Sequence, residues 1–201
     1  IIKSPNEPIF FFKNFNIIKF FYDFIYLFSY YIYMKNIFIL LFVFFSLTCN
    51  KKNDLLISVV DVDGFYESIK KNNKPSFILV NIWSTYCLPC IEEFPYIVNL
   101  ENRYDKKILD VIFLSTDWDE NSEEAHHFLI NNNVYGQHYR KIEGNDQEFI
   151  NKICPNWTGA LPFTGIYNKK LDLISYWEGK KDEDFFINVI DSLIKLKEEK
   201  I

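Results

Sequence analysis

Two cysteines separated by two residues lie between an apolar run and a helical pattern, and this arrangement constrains the fold more than any other feature. The run Phe77–Trp83 (FILVNIW) is apolar except for one Asn, as expected of a strand buried on both faces of a sheet. Residues 91–104 then have the spacing of an amphipathic helix. Cys87 and Cys90 therefore lie where a strand passes into a helix.

A thiol at the amino terminus of a helix ionises more easily, because unpaired backbone N–H groups and the helix dipole stabilise the thiolate. We therefore expect Cys87 to attack a substrate disulfide and Cys90, one turn away, to resolve the mixed disulfide. Pro89 suits a first turn, where its missing N–H is not needed. Half of a zinc site and an inert structural disulfide are the alternatives, although Cys49 and Cys154 form no second pair and the histidines lack ligand spacing.

The chain after residue 54 alternates strand-like and helix-like segments. Strands are predicted at 55–60, 77–83, 109–115, 163–167 and 171–177, and helices at 61–71, 91–104, 121–132, 146–153 and 182–197. This order indicates an α/β domain over residues 55–201. It has a mixed central sheet with helices on both faces, and the late hairpin supplies antiparallel edge strands.

The amino-terminal segment has a different composition, since 12 of the 21 Phe precede residue 49. The only Met, Met34, is followed by Lys35 and then by the apolar run of residues 37–47. A basic start, an apolar run and a processing site make a secretory signal. We therefore predict a signal peptide or membrane anchor over 34–49 and a linker over 50–54. Residues 1–33 are predicted to be mistranslated upstream sequence, or otherwise a disordered or hydrophobic leader.

Residues 45–49 (FSLTC) resemble the end of a bacterial lipoprotein signal, although Leu47 is two residues before the Cys rather than three. The resemblance implies that Cys49 becomes the lipidated first residue of the mature protein. The alternative is an uncleaved anchor in which Cys49 is an incidental thiol. Both interpretations place the folded domain in the cell envelope, anchored to a membrane and facing the extracytoplasmic side.

Residues 81–90 (NIWSTYCLPC) resemble the active-site segment of thioredoxins, and residues 92–95 (EEFP) resemble the TlpA/ResA-like thiol:disulfide oxidoreductases. Asn81 occupies the place where that branch has Asn and cytoplasmic thioredoxins have a buried Asp. The resemblance extends over most of residues 55–196 and implies a thioredoxin-like fold. It also implies that Glu93 is a carboxylate near the two sulfurs, which tunes their pKa values or carries the proton of Cys90. A solvated Glu that only favours the helix dipole is the alternative.

A second motif, residues 159–164 (GALPFT), resembles the cis-proline loop of the same family. The resemblance implies that the Leu161–Pro162 bond is cis, that Pro162 faces the cysteines, and that the backbone of Leu161 binds an extended substrate peptide. An ordinary trans turn is the alternative. Trp83 is a candidate for substrate contact beside the active site, or otherwise a core aromatic residue.

Two further features have simpler interpretations. Cys154 is expected to be a buried free thiol, with an auxiliary redox role as the alternative. Residues 117–120 (DWDE) lack the Gly and the distal Glu of a calcium loop, so we predict a solvated loop near the active-site edge.

The function indicated by these features is that of a membrane-tethered, extracytoplasmic thiol:disulfide oxidoreductase. Resemblance to the TlpA/ResA branch implies a reductant of protein disulfides, including those of apocytochrome c, that a membrane thiol carrier recharges. We expect no metal or cofactor, and the net charge of −5 argues against nucleic-acid partners. The alternatives are a thiol peroxidase of the peroxiredoxin group and a non-catalytic module that holds client peptides or a metal.

Overall fold

The computed structural model describes residues 15–47, 54–71 and 75–199 and divides into two compact units, Ile1–Lys52 and Asn53–Ile201. Helix α1 (Phe15–Leu47) forms the described part of the first unit and continues through Met34 without a break. Across the described residues, no helix is both long enough and apolar enough to span a bilayer. Cys49 and most of the predicted linker lie outside the described residues, so lipidation stays a prediction.

The second unit alternates strands and helices along the chain. Its elements are β1 (Leu55–Val60), α2 (Val62–Lys71), β2 (Phe77–Trp83), α3 (Leu88–Arg103), β3 (Leu109–Ser115), α4 (Ser122–Asn131), β4 (Gly136–Lys141), α5 (Asp146–Ile153), β5 (Phe163–Asn168), β6 (Leu173–Glu178) and α6 (Glu183–Glu198). Every predicted strand and helix is confirmed to within about three residues. Strand β4 was not predicted, and α3 begins at Leu88 rather than at residue 91.

The six strands form one mixed sheet in the order β1-β4-β3-β2-β5-β6. The four strands from β1 to β2 are parallel, and β5 and β6 add an antiparallel hairpin. This arrangement confirms the predicted mixed sheet with the late hairpin at its edge. It also confirms the thioredoxin-like fold class.

Helices cover both faces of the sheet, and each face has its own apolar core. On one face, side chains of α3, α4 and α6 surround Phe113 of β3, and the rings of Phe94 and Phe113 stack at 4.2 Å. On the other face, α2 and α5 pack through Phe65 and Phe149. Alternate residues of β2 enter the two cores, which explains why this strand is apolar along nearly its whole length.

Strand β4 was not predicted because its sequence, GQHYRK, is polar and has no alternation of apolar and polar residues. It lies between β1 and β3, and its buried charged side chains are paired: Arg140 with Asp119 and Lys141 with Asp146. His138 is also buried, and its Nδ1 accepts a hydrogen bond from the Phe113 N–H at 3.1 Å. Burial lowers the pKa of His138 to about 4, so the ring is neutral and keeps this acceptor.

The sheet brings three loops to one edge. Strands β2 and β3 run parallel and end together, with Trp83 opposite Ser115. Strand β5 starts at that same edge, because Phe163 pairs with Ile82 in the antiparallel register. The loop that carries Cys87, the loop after β3 and the loop before β5 therefore meet at the carboxyl end of β2.

Candidate active site

Cys87 and Cys90 form a disulfide with a Cα–Cα distance of 5.2 Å. Cys87 is the N-cap of α3, and its Sγ accepts a hydrogen bond from the Cys90 N–H at 3.2 Å. Because α3 begins earlier than predicted, Cys90 lies inside its first turn and not before it. The same N–H would stabilise a thiolate on Cys87 after reduction.

The two cysteines differ in access to solvent. Cys87 is half-buried, while Cys90 is only 1% exposed and belongs to the core beneath α3. An incoming disulfide can therefore reach only the first sulfur. This asymmetry agrees with the expected roles of Cys87 as nucleophile and Cys90 as resolving thiol.

Glu93 lies one helical turn after Cys90, and its side chain is fully buried. One carboxylate oxygen accepts from the Asn81 side-chain amide and the other from the Lys181 N–H, each at 3.0 Å. The Asn81 amide also donates to Thr164 Oγ1 at 3.0 Å. Burial raises the pKa of Glu93 to about 7, although these hydrogen bonds and the two nearby lysines favour the charged form. Glu93 is therefore not the solvated first-turn Glu that was the alternative.

The adjacent Glu92 faces outward and pairs with Lys180 on the surface. Glu92 is therefore a surface residue outside the buried hydrogen bonds of Glu93.

The loop before β5 has the predicted cis peptide bond between Leu161 and Pro162. Pro162 is buried, and its carbonyl accepts from the Gly179 N–H at 2.8 Å. Within the described residues, neither the N–H nor the carbonyl of Leu161 has a hydrogen-bond partner. These free groups, at the edge where Cys87 lies, are what an added substrate strand requires.

Trp83 was a candidate for substrate contact, but the structure places its side chain wholly in the core. The indole is 0% exposed and packs against the rings of Phe94 and Phe128, with centroids 5.1 and 4.9 Å away. A docked peptide cannot touch a side chain that has no exposed surface. Trp83 therefore stabilises the start of the active-site loop by packing in the core and does not contact substrate.

Cys154 is a buried free thiol, as expected. It lies in the core beneath α2 and α5, whereas Cys90 lies in the core on the opposite face of the sheet. The sheet separates the two thiols, so the position of Cys154 gives no support to an auxiliary redox role.

Comparisons with known proteins agree with this geometry. The family model described as Thioredoxin matches residues 56–133, which include the cysteine pair. The thiol-disulfide oxidoreductase ResA of Bacillus thuringiensis (strain Al Hakam) is 26% identical over 126 residues, covering 63% of this chain and 68% of that relative. The chain contains a thioredoxin domain and is similar to the ResA thiol-disulfide oxidoreductases. These matches and the disulfide-bonded pair of Cys87 and Cys90 identify a thiol:disulfide oxidoreductase, a type of enzyme whose substrates are protein disulfides.

Solved structures show the same fold. A thioredoxin-related protein from Neisseria meningitidis serogroup B has a TM-score of 0.51 and 24% identity, over 60% of this chain and 87% of that one. A thiol-disulfide isomerase from Corynebacterium glutamicum has a TM-score of 0.52 and 14% identity, over 64% and 84% of the two chains. These similarities confirm the thioredoxin-like architecture.

Asp117 is a further residue of this candidate active site, and the sequence analysis assigned it wrongly to a solvated loop. It is only 4% exposed. Its carboxylate accepts from Ser84 Oγ at 2.7 Å, Thr85 Oγ1 at 2.8 Å, the Thr85 N–H at 3.0 Å and Ser115 Oγ at 2.7 Å. Asp117 thus ties the loop that leads to Cys87 onto the end of β3. The adjacent hydroxyl residues Ser84 and Thr85 are the only sequence signal that could have suggested a buried acceptor for this loop.

Replacing Asp117 with alanine is expected to lower the free energy of unfolding by about 2–4 kcal/mol, because four donors lose a charged acceptor. Asp117→Asn, which keeps one acceptor oxygen, should lose about half as much. Urea denaturation measures both values. Glu120→Ala is the control, since Glu120 is exposed and the change should cost less than about 0.5 kcal/mol. Equal losses in Asp117→Ala and the control would contradict the anchoring role.

Proposed function

We propose that this chain is a membrane-tethered, extracytoplasmic reductant of protein disulfides. In the exchange, the Cys87 thiolate attacks a client disulfide and forms a mixed disulfide, and one client sulfur leaves as a thiol. The Cys90 thiolate then attacks Cys87 and releases the second client thiol. Two electrons pass to the client, the cysteine pair becomes the disulfide seen here, and a membrane thiol carrier restores the dithiol.

The observation that carries the proposal is the pairing of a half-exposed Cys87 with a buried Cys90 and a buried carboxylate one turn away. A negative charge near two thiols disfavours their ionisation and raises their pKa values. A strong oxidant such as DsbA has a stabilised reduced form. A destabilised thiolate has the opposite effect, because the cysteine pair then gives up its electrons more readily and becomes the disulfide. Glu93 therefore supports the reducing direction, and the similarity to ResA proteins supports it as well. We include apocytochrome c among the clients, because the TlpA/ResA branch commonly acts there.

The direction of the reaction is tested by the reduction potential of the cysteine pair. We expect a value below about −200 mV, in the range of thioredoxin and the glutaredoxins rather than of DsbA. Equilibration of the full chain with dithiothreitol or glutathione buffers, followed by alkylation of free thiols and mass measurement, gives this potential. A value near about −120 mV would identify an oxidant and contradict the proposal.

Membrane attachment is proposed from the apolar run of residues 37–47 and the Cys that follows it at position 49. Cell fractionation of the wild type and of Cys49→Ser tests it. The wild type is expected in the membrane fraction, with its domain accessible to protease from the extracytoplasmic side. A wild-type chain recovered only from the cytoplasmic fraction would contradict the proposed address.

A further inference from the structure

A cleft of about 620 Å³ opens beside the active site, between the loop after β3, helix α5 and the loop before β5. Its apolar lining comes from Phe149 and Ile150 of α5 and from Trp157 and Leu161. Phe149 and Trp157 are each 5% exposed, so they form a fixed floor. An apolar side chain of a bound polypeptide fits such a floor.

Most of the charged side chains that line this cleft are acidic. It consists of four carboxylates, Asp117, Glu120, Glu143 and Asp146, and one ammonium group, that of Lys141. Lys141 is already paired with Asp146. Glu120 is exposed and has neither an ion pair nor a hydrogen bond among the residues that the structure describes. The cleft therefore presents a net negative charge to whatever enters it.

The cleft adjoins a depression lined by the loop that leads to Cys87. Trp118, whose side chain is 68% exposed, lines both this cleft and a neighbouring depression that includes Ser84 and Tyr86, directly before Cys87. Leu161, whose N–H and carbonyl have no partner among the described residues, also lines the cleft. A polypeptide bound along Leu161 would therefore place residues next to its disulfide in the acidic cleft.

We propose that this cleft selects clients by charge. It binds the client segment next to the target disulfide, taking an apolar side chain on the floor and a Lys or Arg side chain against the acidic rim. The inference rests on the proposed function, because the occupant is part of the protein whose disulfide is reduced. Complementary charge of this kind acts mainly on the rate of productive encounter.

The test uses the reduced full chain and two synthetic peptides, each with one intramolecular disulfide and one neighbouring Leu, that differ only in flanking Lys or Glu residues. The Lys peptide is expected to react about tenfold faster at low salt, with a smaller ratio at 0.5 M salt. Glu120→Lys should slow the Lys peptide about five- to tenfold and speed the Glu peptide. Glu67→Lys makes the same charge change on α2, outside the cleft, and should alter either rate less than about twofold.

A neutral small disulfide, 2,2′-dipyridyl disulfide, measures the rate of thiol–disulfide exchange without the charge selection proposed for the cleft. Its rate should be unchanged by Glu67→Lys, and Glu120→Lys should change it by less than about twofold, because the reagent carries no charge for the cleft to select. Equal rates for the two peptides, or equal effects of the Glu120 and Glu67 changes, would overturn the cleft proposal while leaving exchange intact. Failure to react with the neutral reagent as well would remove the exchange chemistry itself, and the cleft proposal with it.

Discussion

Replacing Cys87 with serine is expected to lower the rate of protein disulfide reduction by about a thousandfold or more, since a hydroxyl cannot replace the thiolate in exchange. Insulin reduction by the full chain, coupled to dithiothreitol, measures this rate. The loss should come without unfolding, because Cys87 is half-buried at the start of α3 and lies at the rim of the core.

Cys154→Ala provides the matched control for the loss of a thiol. Cys154 is buried on the opposite face of the sheet, so the rate of reduction should stay within about twofold of the wild type in folded protein. A Cys87→Ser variant that kept wild-type activity would leave a non-catalytic binding role as the better explanation. A wild-type chain that instead consumed peroxide rapidly would favour the peroxidase alternative.

Replacing Glu93 with glutamine is expected to change the pH dependence of thiol alkylation in the reduced protein. Because the pKa of Glu93 is raised to about 7, its ionisation adds a step near pH 7 to the wild-type profile. The variant should lack this step. It should also alkylate about three- to tenfold faster at pH 8, because the removed negative charge no longer raises the thiol pKa values. A profile identical to the wild type would leave Glu93 with a structural role only.

Glu93→Gln is also expected to change how the free energy of unfolding depends on pH. As pH rises from 4.5 to 7, the unfolded chain loses the Glu93 proton before the folded chain does. The free energy of unfolding of the wild type therefore falls over this range by up to about 3 kcal/mol from this group. Glu93→Gln should remove that slope, which urea denaturation at several pH values measures. Glu92→Gln is the matched control, since Glu92 is on the surface beside Lys180, and neither profile should move.

The elements that could be predicted from the sequence are those whose pattern comes from local burial. Strand β2 is buried on both faces, so its continuous apolar run is enough to predict it. The CxxC at its end predicted both the helix that follows and the order of attack by the two cysteines. The cis bond before Pro162 came from family resemblance, because a trans turn fitted the composition equally well.

The elements that could not be predicted depend on partners distant in the chain. Strand β4 is polar and becomes buried only because Asp119 and Asp146 pair with its cations. Asp117 looked like part of an acidic surface loop, and its burial depends on hydroxyl donors more than thirty residues earlier. Trp83 looked like a contact residue in sequence, but its position in the core depends on the side chains of Phe94 and Phe128 above it.

The central claim, that Cys87 attacks a client disulfide and Cys90 resolves it, is tested most directly by trapping with the full-length Cys90→Ser variant. Membranes from cells that produce the variant are acid-quenched and alkylated, and disulfide-linked partners are identified by mass spectrometry under non-reducing conditions. The expected result is a stable mixed disulfide that joins Cys87 to a cysteine of an envelope protein, absent from Cys87→Ser. Recovery of no such adduct, or of adducts joined through Cys154 instead, would contradict the claim.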